Sequence, residues 1–426
     1  MKRKKPEILA PASSLEVLKT AIRYGADAVY IGGEMYGLRA KAKNFSKEDM
    51  REGIAYAHER GKKVYVTANI TAHDRDLQGV EDYFWELKEL APDALIISDA
   101  GVFTIARKVC PEIDIHISTQ ANNVNYMTFN FWHQSGATRV VTARELSLRE
   151  IAHIRANIAE GLEIETFVHG AMCISYSGRC LLSNYFTGRD ANLGACTHPC
   201  RWKYHIVEET RPGEYLPIEE NERGTYIFNS KDLCMIEHIP ELVEAGIDSF
   251  KIEGRMKTAL YVAVVVRAYR QALDDYWEDP ERYRAKLSFY QEEIAKCTYR
   301  QFTTGFFFGK TTHESQIYDS NTYTQGSVYL GIVEEVTEDG QIIFEQKNKF
   351  SVGDTIEIMK TDSTNLTVTV QEMVNQYGEQ VKDCPHPAER IRMRVDAEVQ
   401  SGEIMRMGKT EEQVEKQTGK QTGKQE

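Results

Sequence analysis

No apolar run in this chain approaches the roughly 20 residues needed to cross a bilayer, and the opening MKRKKPEILAPASS has no apolar signal-peptide core. Both absences predict a cytoplasmic protein with no membrane partner. Cysteine is scarce, eight in 426 residues, too few for a disulfide-stapled secreted scaffold, so free thiols or ligands are expected. Excess basic charge is missing too: 52 Lys and Arg face 64 Asp and Glu, a formal net charge of -12. Indiscriminate nucleic-acid binding, which phosphate neutralisation drives, is thereby disfavoured; a specific RNA partner is not. Basic residues cluster only locally, at Lys2 to Lys5, at Arg39, Lys41 and Lys43, and at Arg255 and Lys257. The H-E-x-x-H helix of a zinc protease is absent, as is any recognisable local nucleophile and base pair.

What is present is the composition of a globular protein, 42% hydrophobic and 27% charged, in a chain long enough for two domains. From residue 7 to about 255 one theme repeats: a short β-branched run, a polar turn, then a stretch with helical periodicity. The runs EILA, AVYIG, KVYVTA, ALIIS, IDIHIS, TRVVTA, IETFVHG and SFKIEG number eight, the count that closes a parallel barrel. The expected fold class is α/β, a TIM-like (β/α) barrel over 1–308, with a cysteine-rich insertion at 170–230 and outer helices over 257–296. A polar linker is expected at 309–325. From Gly326 to 408, period-two runs such as QIIFEQ, DTIEIM and RIRMRV alternate with Gly-Asp and Asp-Gly turns, which predicts a small C-terminal β-barrel. The tail 409–426, without an aliphatic period, reads as disordered.

Active sites of such barrels form where strands end at their carboxyl side. Those ends here carry Asn69, Ser98, Ser118, Arg144, His169, Glu253 and Arg255 among others. His169 is a candidate general base, ligand or packing histidine. Arg144 and Arg255 have the paired donors that clamp carboxylates or phosphate, with a simple ion pair to Glu145 or Glu253 as the competing role. Lys257 stands near the same mouth. The insertion starts directly after His169 and holds Cys173, Cys180, Cys196 and Cys200. Four thiols in one polar segment exceed what packing needs. Their C-x6-C spacing favours a 4Fe-4S cluster over structural zinc, whose ligand pairs stand two to four residues apart. Cys234 is an alternative to Cys200 as fourth ligand. Cys110, Cys297 and Cys384, outside the cluster, read as small buried hydrophobes.

ETFVHGAMCISYSGRCLLS resembles the signature of the collagenase-like peptidase family U32, and YGLRAKAKNF, ISTQANN, GRDANLGACTHPCRW, NSKDLC and SFKIEGRMK resemble its segments in order over residues 6 to 405. Within that family the chain is most similar to the branch that hydroxylates tRNA. The resemblance implies an oxygen-independent enzyme that forms 5-hydroxyuridine at the tRNA wobble position with prephenate, and a paralogous U32 subunit as a partner. By motif position it implies Cys173, Cys180 and Cys196 as cluster ligands, with Cys234 favoured as the fourth. Arg144, Arg255 and Lys257 are then the substrate-binding set, and His169 and Glu253 the proton-moving pair. The alternatives are a collagenase-like protease and a zinc-binding, RNA-associated scaffold.

Overall fold

The structure is a computed structural model that describes residues 4–33, 44–173, 175–176, 180–189, 191, 196–201, 205–206, 216–217, 229–311, 316–317, 324–384, 386 and 388–409. Arg39, Lys41 and Lys43, most of the charged stretch 208–224 and nearly all of the tail lie outside the described residues.

Eight parallel strands close into a barrel: β1 Glu7–Pro11, β2 Ala28–Gly32, β3 Lys63–Ala68, β4 Ala94–Ile97, β5 Asp114–Ile117, β6 Arg139–Val141, β7 Glu163–Ala171 and, after the insertion, β9 Ser249–Ile252. Each pairs with its neighbour in chain order, and β9 pairs with both β7 and β1, which removes the edges. Between them, β8 Asp232–Cys234 runs antiparallel to β7 and sets Cys234 opposite His169.

Helices follow each strand because their caps and stops are local. The side chain of Ser14 accepts from Val17 N to start α1 Leu15–Arg23, and Ser46 accepts from Asp49 N to start α2 Lys47–His58. The glycines just past both helices, Gly25 and Gly61, take positive φ. Outside the barrel, one long helix expected from Lys257 to Arg284 is two. α9 Ala259–Glu278 ends before Pro280, which opens α10 Pro280–Ala285 with Asp279 as cap. Proline cannot donate the backbone hydrogen bond that a continuing helix needs.

The barrel interior is polar in its lower half. Arg139 bonds Glu7 at 2.7 Å, Glu163 at 2.6 Å and Glu165 at 3.0 Å, and Lys251 reaches Glu165 at 2.6 Å. Tyr65 donates to Glu7. Glu165 is fully buried, which two cations make tolerable. This network plugs the end opposite the carboxyl ends of the strands, where such residues serve stability.

The C-terminal domain is an antiparallel half-barrel of eight strands over residues 327–408, built around Leu330, Phe344, Ile358 and Met405. Among the described residues its two end strands do not pair with each other. The polar stretch expected as a linker contributes two short strands, 316–317 and 324–325, that pair with 229–230 and 298–299. The two domains meet at a buried ion cluster. Glu293 binds Arg267 at 2.5 Å and Arg406 at 3.2 Å, and Tyr24 donates to the carbonyl of Met359.

Candidate active site at the barrel mouth

The sharpest polar feature at the carboxyl ends of the strands is the pair Arg144 and Glu253. Arg144 follows β6, and its Nη1 donates to Ala171 O at 2.7 Å while Nη2 donates to Glu253 Oε2 at 3.0 Å. Its guanidinium lies 4.0 Å above the Phe167 ring. Nε is buried with no hydrogen-bond partner, so one donor remains to be used. Glu253 is aimed by its backbone: its N donates to His169 O, and Gly170, at φ +109°, permits a close approach. A Cβ on Gly170 would stand 2.7 Å from Glu253 O.

Arg255 is buried, and its Nη1 donates to Thr67 Oγ1 at 2.9 Å. Thr67 in turn donates to Ile31 O. Gly32 leaves room for this guanidinium, since a Cβ there would lie 2.5 Å from Nη1. Next along the rim, Asn69 donates to Ser118 Oγ at 3.1 Å and Ser98 donates to Asn69 O at 2.9 Å. Lys257 Nζ sits 4.9 Å from the Tyr261 ring.

His169 is placed differently from a free acid or base. It is 1% exposed, walled by Tyr261, Tyr269 and Phe302 with ring centroids 6.0, 5.6 and 5.8 Å away. Burial, then the Lys257 charge, pushes its pKa down to about 3, so the ring is neutral near pH 7. The strand-end position was legible in sequence. The aromatic wall was not, because Tyr261, Tyr269 and Phe302 come from a helix and a strand far along the chain.

The cysteines divide by burial. Cys110, Cys297 and Cys384 are buried, as packing residues should be, and burial raises their pKa to about 11, 12 and 12. Cys173 is exposed, and Cys180, Cys196, Cys200 and Cys234 are partly exposed; none is in a disulfide, and burial pushes the Cys234 thiol up to about 12. The structure forms two groupings. One follows α7 Leu182–Thr187, just after Cys180: Ser183 Oγ accepts from Thr197 N at 3.0 Å, which ties Cys196 and the turn Pro199–Arg201 to that helix. The other follows β7 and β8, with Cys173 two residues past Ala171 and Cys234 opposite His169. Among the described residues no three Cys, His, Asp or Glu side chains converge as a metal site. The donor set nonetheless fits an iron-sulfur group in its chemistry: five cysteines outside any disulfide, four on the segment that leaves the barrel mouth and Cys234 on the strand beside it. Sequence reading missed Thr67, Ser183 and Thr197, whose short polar side chains give no pattern of their own.

Residues 13–317 match Peptidase family U32, and residues 325–406 match the Peptidase family U32 C-terminal domain. The chain belongs to peptidase family U32. This U32 protein is 40% identical over 407 residues to tRNA hydroxylation protein P1 of Bacillus subtilis, covering 95% of this chain and 96% of that one. To tRNA hydroxylation protein P of Escherichia coli it is 39% identical, covering 89% and 92%. Bacillus subtilis tRNA hydroxylation protein P2, at 37% identity, matches 73% of this U32 chain and all of its own length.

Proposed function

We propose that this U32 protein is a tRNA-modifying hydroxylase that forms 5-hydroxyuridine at the wobble position, without molecular oxygen and with prephenate as the required metabolite. The observation that carries the reading is the end-to-end match to tRNA hydroxylation protein P1, through both the barrel and the C-terminal domain. The proposal places it in the cytoplasm, with a shorter U32 subunit, of the kind that matches 73% of this chain, as partner.

Replacing C5–H of uridine by C5–OH is a two-electron oxidation, and in this proposal the oxygen donor derived from prephenate is the oxidant: it delivers the hydroxyl oxygen and keeps the two electrons, while the C5 proton leaves. Cys173, Cys180, Cys196 and Cys234, with Cys200 as the alternative fourth ligand, would hold a 4Fe-4S cluster, which would supply electron transfer. The chain's own side chains do the rest. Arg144, through its unused Nε, and Arg255 bind the carboxylates of prephenate or of an oxygen donor derived from it. Lys257 adds positive charge at the rim. Glu253, held in place by Arg144, takes the proton released at C5. The proton-moving role expected of His169 would need a path past the three aromatic side chains that enclose it, and we assign the ring instead to positioning the β7 end beside Cys234.

The test is anaerobic incubation of the full chain, reconstituted with iron and sulfide, with unmodified tRNA, followed by nucleoside mass spectrometry. 5-Hydroxyuridine should form with prephenate and not without it. Equal yield without prephenate contradicts the metabolite assignment, and gelatin cleavage without hydroxylation favours the protease reading.

A further inference from the structure

α7 is only six residues long, yet its two faces are sharply different. Ser183 and Thr187, one helical turn apart, face inward: Ser183 is fully buried, and both hydroxyls lie within 3.3 Å of Thr197 Oγ1. Leu181 and Tyr185, also four apart, form the opposite face, and they are 73% and 83% exposed. Phe186 beside them is 45% exposed, its ring set edge-on to Tyr185 with centroids 5.2 Å apart. Tyr176, earlier in the same segment, is another exposed ring. Soluble chains rarely leave several large apolar side chains together in water without a use.

The charge of the segment's sequence points to the occupant. Residues 173–205 carry Arg179, Arg189, Arg201 and Lys203 against the single acid Asp190, within a chain whose net charge is -12. Exposed rings on a segment whose sequence carries net positive charge suit unpaired nucleobases, which stack on aromatic faces while phosphates meet cations. A protein partner covering an apolar helix would not call for this local reversal of sign. The segment also leaves the barrel directly from the carboxyl end of β7, beside Arg144 and Glu253.

We infer that the outward face of α7, Leu181, Tyr185 and Phe186, is a stacking platform for the unpaired bases of an RNA loop, the anticodon loop of the tRNA substrate. This deepens the tRNA reading above and rests on it. The cysteine-rich segment then has two jobs: its thiols face the chemistry and its rings hold the loop that delivers the uridine.

The experiment measures binding of the full-length protein to a fluorescently labelled anticodon stem-loop and to a fully paired RNA duplex of equal length, using wild type, Tyr185→Ala and Tyr185→Trp. Base stacking on one ring contributes enough that Tyr185→Ala should weaken loop binding about tenfold. Duplex binding should be unchanged, Tyr185→Trp should bind the loop as wild type does, and iron content and melting temperature should match throughout. Loop affinity unaltered in Tyr185→Ala overturns the platform, as does equal weakening toward loop and duplex. So does loss of a co-purifying subunit with loop affinity intact, which assigns the surface to a protein. Wild type that binds the loop while Tyr185→Ala binds it equally sinks the platform alone; wild type that binds no tRNA loop sinks the tRNA reading as well.

Discussion

Arg144 and Glu253 stand at 9% and 16% side-chain exposure, so removing one leaves the other poorly solvated. Arg144→Ala should destabilise the protein by about 2 kcal/mol, less than a fully buried pair would cost, and should lower tRNA hydroxylation more than tenfold. Glu253→Gln keeps the shape and one acceptor, so hydroxylation should fall while the melting temperature holds; wild-type hydroxylation in both variants contradicts the assigned roles. At the barrel's other end His116 is buried, with Nδ1 lacking a hydrogen-bond partner. Burial first, then Arg139, Lys251 and Lys63, hold its pKa well below 6.5, and Tyr65 packs edge-on against it. The unfolded chain therefore binds this proton and the native one does not. The His116 contribution to stability is complete above about pH 6.5 and is lost as pH falls toward the folded value, at about 1.4 kcal/mol per unit. Urea unfolding at pH 7 and pH 5 should show a smaller drop for His116→Phe than for wild type. Residue identity made Arg144, Glu253 and the thiols legible, because strand ends can be read from β-branched runs. It concealed which side of a strand His169 and His116 face once helices and loops distant in sequence close over them.

Among the elements, the end of β7 is the most constrained. Gly170 at φ +109°, with Glu253 O where a Cβ would go, makes Gly170→Ala a change that must move the β7 and β9 ends apart. Iron retention and hydroxylation should both fall in this variant, whereas Gly61→Ala, strained in φ but open in space, should cost stability alone. The ligand assignment has its own check at this scale. Cys173→Ala, Cys180→Ala and Cys196→Ala should each lose iron on anaerobic purification, and Cys384→Ala should keep it while melting earlier. Comparing Cys200→Ala with Cys234→Ala identifies the fourth ligand. All eight barrel strands were readable from periodicity. The break between α9 and α10 was missed because amphipathic periodicity runs through Glu278 to Arg284 while Pro280 interrupts the hydrogen bonds beneath it. β8 was hidden because NSKDLC is short and polar, and only its pairing with β7 and Phe302–Thr303 makes it a strand.

Across the whole molecule, the barrel and the C-terminal half-barrel behave as one unit because ions are shared across their boundary. Burial alone would raise the Glu293 pKa, but Arg406, Lys296 and Arg267 hold it below the usual carboxylate range. Such a cluster ties α9 and α11 Leu287–Ala295 to the strand Ile404–Gly408, and nothing in the local sequence pairs Glu293 with Arg406. The central claim concerns tRNA, and nucleoside mass spectrometry of cells lacking this gene and its U32 paralogues tests it most directly. The account predicts that 5-hydroxyuridine and its derivatives disappear, and return with the wild-type chain but not with Cys173→Ala. Unchanged 5-hydroxyuridine in the full deletion would contradict it.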